Sequence, residues 1–162
     1  AFVQAPPAGL GDVNVFNNPT YGTIFKAFSL SRLFSAIGSN ITEVDFFVPG
    51  GGNRPATVTS FGAVFTDVDQ PDGSGPGKKQ GNRGTSTLME YFDAYGQLLF
   101  SGFVPASPGD GSLSFFGIVF EDARIARVRI TSGNGAPGPD DDGKNDIVMM
   151  DDFIYGEPQP LH

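Results

Sequence analysis

The stretch Ile147-Val148-Met149-Met150-Asp151-Asp152-Phe153-Ile154-Tyr155 decides how this chain is read. It is an apolar strand with two adjacent carboxylates inside it. Successive side chains of a strand point to opposite faces, so Asp151 and Asp152 cannot both reach water if both faces are covered. A buried carboxylate needs a cation or several hydrogen bonds. Two readings stand side by side. Asp151 and Asp152 hold Ca2+, which accepts carboxylate and backbone oxygen, or they cap a turn and bond backbone amides at the strand edge.

Upstream, the same period-two pattern recurs between turn signals. Asn40 to Val48 alternates, with Val44, Phe46 and Val48 on one side and Glu43 and Asp45 on the other. Thr57 to Asp67 puts Phe61, Ala63 and Phe65 on one face. Thr85 to Phe92 and Gln97 to Val104 flank Asp93-Ala94-Tyr95-Gly96, which predicts a hairpin. Leu113 to Phe120 and Arg124 to Thr131 are two further strands, and Thr23 to Ser29 is a short one. No stretch keeps a 3.6-residue apolar period for three turns; the nearest helical candidate is Leu30 to Ile37. Asp69 to Gly84 and Gly133 to Asn145 are polar, Gly-rich surface loops. Eight or nine strands at this spacing predict an all-β, antiparallel β-sandwich. Residues 1–20 read as an N-terminal arm and a candidate for strand exchange, 21–157 as the sandwich, and 158–162 as a C-terminal tail.

Composition narrows the function classes. The 16 Phe and 4 Tyr suit a sheet-rich core. A net charge of −8 with only ten basic residues speaks against nucleic acid, which needs a basic stripe, and against an anionic membrane surface. It suits divalent cations. Cysteine is absent, so there is no disulfide, zinc thiolate or thiol nucleophile. No signal peptide or membrane span is visible. A small first residue, Ala1, is what signal-peptide cleavage leaves, so a mature extracellular or cell-surface chain is expected. The single His is His162, the last residue, where no rigid scaffold orients it for a catalytic triad. No Gly-x-Ser-x-Gly elbow occurs, and Gly50-Gly51-Gly52 opens no helix. The four Glu sit in no glycosidase pattern. The expectation is a protein that is not an enzyme.

Several segments taken together resemble a known family. They are Phe61-Gly62-Ala63-Val64-Phe65-Thr66-Asp67-Val68-Asp69, Glu90-Tyr91-Phe92-Asp93-Ala94-Tyr95-Gly96, Phe115-Phe116-Gly117-Ile118-Val119-Phe120, Ile125-Ala126-Arg127-Val128-Arg129-Ile130 and Met150-Asp151-Asp152-Phe153-Ile154-Tyr155-Gly156. Their order is similar to that of jelly-roll domains in secreted bacterial proteins, often ones with a PEP-type C-terminal sorting signal. The match spans roughly residues 28–157; the sorting signal itself is not in this sequence. The resemblance implies a jelly-roll β-sandwich and a secreted protein. The wider jelly-roll class includes carbohydrate-binding modules with a structural calcium near the first and last strands, an implication by analogy.

Other acidic clusters are candidate Ca2+ ligands. Asp67-Val68-Asp69-Gln70-Pro71-Asp72-Gly73 places Asp67 and Asp69 on one side by i, i+2 spacing, but misses the Asp-x-Asp-x-Asp-Gly loop by one inserted residue. A solvated loop is its other reading. Asp140-Asp141-Asp142-Gly143-Lys144-Asn145-Asp146 is more calcium-like, with Asp140, Asp142 and Asp146 as ligands, though it lacks the bidentate Glu and flanking helices of an EF-hand; a disordered or solvated acidic loop is its other reading. For glycans, the missing Trp leaves Tyr95 in the hairpin turn as the best exposed platform; a turn Tyr packing on its neighbour is the plainer reading. Asn40-Ile41-Thr42 is a glycosylation sequon. These features predict a non-catalytic, calcium-stabilised extracellular subunit that self-associates into a fibre, surface or matrix, with Val13 to Phe16 adding to a neighbour's sheet edge. The alternative is a calcium-dependent carbohydrate-binding or adhesion module.

Overall fold

The computed structural model describes residues 3–4, 16–29, 33–69, 87–139 and 145–161. Among them the elements run β1 (Val3–Gln4), α1 (Tyr21–Ile24), β2 (Ser35–Ala36), β3 (Ile41–Asp45), β4 (Ala56–Thr57), β5 (Ser60–Thr66), β6 (Leu88–Phe92), β7 (Leu98–Phe103), β8 (Leu113–Val119), β9 (Arg127–Thr131), β10 (Met149–Tyr155) and β11 (Gln159–Pro160). The fold is an all-β antiparallel sandwich. One sheet has the order β3-β9-β6-β7 and the other β10-β5-β8.

Alternation decides which side chains meet between the sheets. Met89 and Tyr91 of β6 and Val128 and Ile130 of β9 are fully buried, facing Phe61, Ala63 and Phe65 of β5. Each large apolar side chain removed from water in this way stabilises the fold by about 1.5–3 kcal/mol. Tyr91 also ties the layers together: its hydroxyl donates to the Phe61 carbonyl at 3.2 Å. Burial pushes that phenol above its ordinary pKa, so it stays a donor. On β3, Glu43 and Asp45 face outward and pair across the strand with Arg129 and Arg127 at 2.7 and 2.8 Å.

β5 is buried on its outer face as well. The Phe115 ring lies over Gly62 and Gly117, which are register partners; a Cβ on Gly62 would come within 2.8 Å of that ring. Thr66 Oγ1 accepts the Lys26 amide at 3.0 Å. A second apolar cluster joins Phe16, Tyr21, Phe25 and Leu33 to Ile147 and Met149.

Two local expectations are corrected. Thr23 to Ser29 is not a strand: α1 spans Tyr21–Ile24 and the chain then runs irregularly. Asn18 Oδ1 accepts the Thr20 amide and hydroxyl at 3.0 and 2.7 Å, an Asx turn that feeds the helical turn. Helical spacing then brings Tyr21 and Phe25 edge to face, 5.1 Å apart. Nor is the described part of Leu30 to Ile37 helical. Phe34 exchanges two backbone hydrogen bonds with Met150, at 2.6 and 2.9 Å, and Ser35–Ala36 pairs with β1. Pairing with the edge of β10 outweighs the weak local helical pattern.

The ends are held within the chain. β1 pairs with β2, Phe16 is buried in the second cluster, and β11 pairs with β4. Val13 to Val15 lie outside the described residues.

Candidate functional site

The acidic pair of β10 sits on a β-bulge. Met150 is opposite Phe65 and Phe153 opposite Ala63, so Asp151 and Asp152 together oppose Val64 alone. A bulge interrupts strict alternation. The expectation that adjacent carboxylates point to opposite faces therefore fails, and both reach Ser29. Asp151 is 2% exposed. Its Oδ2 accepts the amides of Phe28 and Ser29 at 2.5 and 3.2 Å, and its Oδ1 lies 3.4 Å from the Ser29 hydroxyl. Asp152 Oδ1 accepts the same hydroxyl at 2.6 Å. The pair thus brackets the turn at residues 28–29, the amide-bonding arrangement that the sequence left open beside Ca2+.

Asp146 stands in the opposite condition. It is 2% exposed, and neither carboxylate oxygen has a hydrogen-bond partner among the described residues. Its backbone is clamped: the amide donates to Asn134 Oδ1 and the carbonyl accepts from the Asn134 amide, both at 2.9 Å. Gly133 makes that approach possible. It adopts φ +60°, and a Cβ there would lie 1.9 Å from the Asp146 carbonyl oxygen. Its own amide donates to Thr87 Oγ1 at 3.1 Å. Burial pushes the Asp146 carboxyl up to about 7, and the negative charge of Asp69 adds to the effect.

Asp67 has φ +68° and is nearly buried, with its amide donating to the Ser112 carbonyl at 3.1 Å. β5 ends at Thr66, so i, i+2 strand spacing no longer governs where Asp67 and Asp69 point. Asp140 and Asp142 lie outside the described residues. Among the described residues, no three carboxylate or imidazole groups come together.

Tyr95 is 89% exposed at the tip of the β6–β7 hairpin. Asp93 Oδ1 accepts the amides of Tyr95 and Gln97, each at 2.8 Å, which fixes the turn. The tyrosine stands on the rim of an open cleft of about 690 Å³, lined also by Phe47, Phe92, Pro55, Asp45 and Arg127. Sequence reading found Tyr95 but missed Phe47, whose ring is 47% exposed; the out-facing position of an alternating strand was the available signal. Hydrogen bonding to Arg129 holds the Glu43 carboxyl below its ordinary range. Asn40 is half-buried, and its amide Nδ2 donates to the Gly133 carbonyl at 3.1 Å. The nitrogen that a glycan would modify is engaged within the fold.

No protein-family model matches the chain, and no curated protein matches it. Among the described residues, no helix is long and apolar enough to cross a membrane.

Proposed function

We propose that this chain is a non-catalytic structural subunit of an extracellular assembly, and that its copies associate through the edge of β8 that pairs with no other described strand. The single observation that carries the reading is the contrast between sheet edges. Natural sheets blunt their edges with charge, proline or bulges. On one flank both edges are blunted. β3 carries Glu43 and Asp45, and β10 carries the Asp151–Asp152 bulge with Phe34 bridged to its side. On the other flank β8 has none of these devices. Its residues Leu-Ser-Phe-Phe-Gly-Ile-Val include no charge and no proline, and they keep unbroken register with β5 over seven residues.

β8 also complements itself. In an antiparallel pair about a two-fold axis at Gly117, Phe115 meets Val119 of the second copy and Phe116 meets Ile118 of the second copy. Phe115 and Val119 are 53% and 80% exposed, and the axial glycines leave room. The product is one continuous six-stranded sheet, β10-β5-β8 joined to its symmetry mate. The resemblance to secreted bacterial jelly-roll domains fits this role and the extracellular setting. Sedimentation equilibrium tests it: the native chain shows a concentration-dependent mass rising to the dimer, while the Phe115→Lys, Val119→Lys double variant stays monomeric. A native chain that is monomeric at every concentration sinks the reading.

A second reading, glycan binding in a carbohydrate-binding or adhesion module, is favoured by the Tyr95 cleft. An exposed ring beside Asp45 and Arg127 offers a sugar both a stacking face and polar partners. A glycan array with the native chain and Tyr95→Ala decides it; equal binding by the two removes Tyr95 as a platform.

A further inference from the structure

Among the described residues, two carboxylates are only 2% exposed, Asp151 and Asp146. Asp151 is saturated with donors from residues 28–29. Asp146 has none on either oxygen among the described residues. A buried polar group without a partner is rare in native proteins and needs a cause such as an ion. The surroundings make this absence costly. Asp69 adds a second negative charge nearby, at the point where the chain leaves β5. Of the five described basic side chains, Arg124, Arg127 and Arg129 are paired with Asp122, Asp45 and Glu43, and neither Lys26 nor Arg54 is among the groups that act on the Asp146 carboxyl.

Water could fill a polar space, but it leaves the repulsion by the Asp69 charge in place. A cation reverses that sign, turning mutual repulsion into attraction by both carboxylates. The backbone is already shaped to hold the group. Asn134 clamps residue 146 from both its amide and carbonyl, and left-handed Gly133 allows the close packing. The carboxylate is therefore presented by a rigid element, as a preformed ligand must be. Carboxylates are hard oxygen ligands and select calcium or magnesium. Magnesium gives up its water shell reluctantly and demands near-octahedral geometry, whereas calcium accepts irregular, dehydrated oxygen sets.

We infer that Asp146, with Asp69, forms a structural calcium site at the end of the sandwich where β5 exits and the chain approaches β10. Asp151 and Asp152 are not part of it. Calcium then ties the exit of β5 to the entry of β10, so both sheet-forming strands are fixed at one point.

The experiment is calorimetric titration of chelator-stripped, folded protein with CaCl2, and separately with MgCl2, at pH 8. The native chain binds one Ca2+ with a Kd of about 0.1–1 mM, the range of extracellular calcium modules, and binds Mg2+ more weakly. Asp146→Asn keeps the side-chain shape, removes the buried charge and lowers Ca2+ affinity at least about 100-fold. Asp69→Asn lowers it about 10-fold. The exposed Asp122→Asn leaves it unchanged. Absence of Ca2+ binding by the folded native chain overturns the site, as does native affinity in Asp146→Asn. Should Asp146→Asn not fold, Asp69→Asn carries the test, and native affinity there overturns the site equally.

Discussion

Asp146 makes the stability of the metal-free protein depend on pH in a direction opposite to that of most carboxylates. In the unfolded chain its carboxyl titrates near 3.8, and in the fold near 7. Between those values the native state holds a proton that the unfolded state has released. Stability therefore falls as pH rises from about 4 to about 7, and levels off above. Each pKa unit is worth about 1.4 kcal/mol, so the full effect reaches about 4 kcal/mol. Asp146→Asn has no proton to lose. In chelator at pH 8 the variant is therefore more stable than the native chain by up to about 4 kcal/mol, a rise in Tm of about 10 °C for a domain this size. At pH 4 the two are nearly equal. The difference between them isolates Asp146 from Glu43, whose lowered pKa acts in the opposite sense but at the surface, where the effect is small. Thermal melts of both proteins at pH 4, 6 and 8, all in chelator, measure it. An Asn variant less stable than the native chain at pH 8 refutes the reasoning, since it means the carboxylate is already satisfied within the chain.

The bulge on β10 separates two adjacent aspartates energetically. Asp151→Ala strips the Phe28 and Ser29 amides of their acceptor and costs about 2–4 kcal/mol in denaturant unfolding, whereas Asp152→Ala loses one half-buried bond and costs about 1 kcal/mol. Equal losses would show that the pair does not bracket Ser29 as described. Gly133→Ala places a methyl into the Asp146 carbonyl at a left-handed backbone position and destabilises by about 3 kcal/mol or more; a loss below 1 kcal/mol contradicts the close approach. Tyr91→Phe removes the hydroxyl that joins the two layers and costs about 1 kcal/mol, read as a fall in the urea midpoint.

The sandwich was legible because its strands obey one simple rule. Glu43 and Asp45 alternate with Val44 and Phe46, and the 93–96 turn marks its own hairpin. Local periodicity carries that information. What it could not carry is non-local. The bulge at Asp151–Asp152 comes from registering β10 on β5, and no feature of residues 147–155 announces it. The helical turn at Tyr21–Ile24 is short, and its aromatic spacing becomes meaningful only against Ile147 and Met149, more than a hundred residues away. Among the acidic clusters, the sequence put Asp151 and Asp152 forward first, because they lie inside an apolar strand. The donors that residues 28–29 supply to Asp151, and the lack of a described partner for the Asp146 carboxylate, are properties of the packed chain. The bare edge of β8 was readable as an uncharged run, but its being an edge depends on sheet order.

The most direct test of self-association is hydrogen exchange of the alternate β8 amides that do not bond β5, compared at low and high protein concentration. Pairing through β8 predicts that these amides slow markedly as concentration rises, while the edge amides of β3 are unaffected. Unchanged exchange along Leu113–Val119, in a sample whose mass shows association, would contradict β8 as the interface.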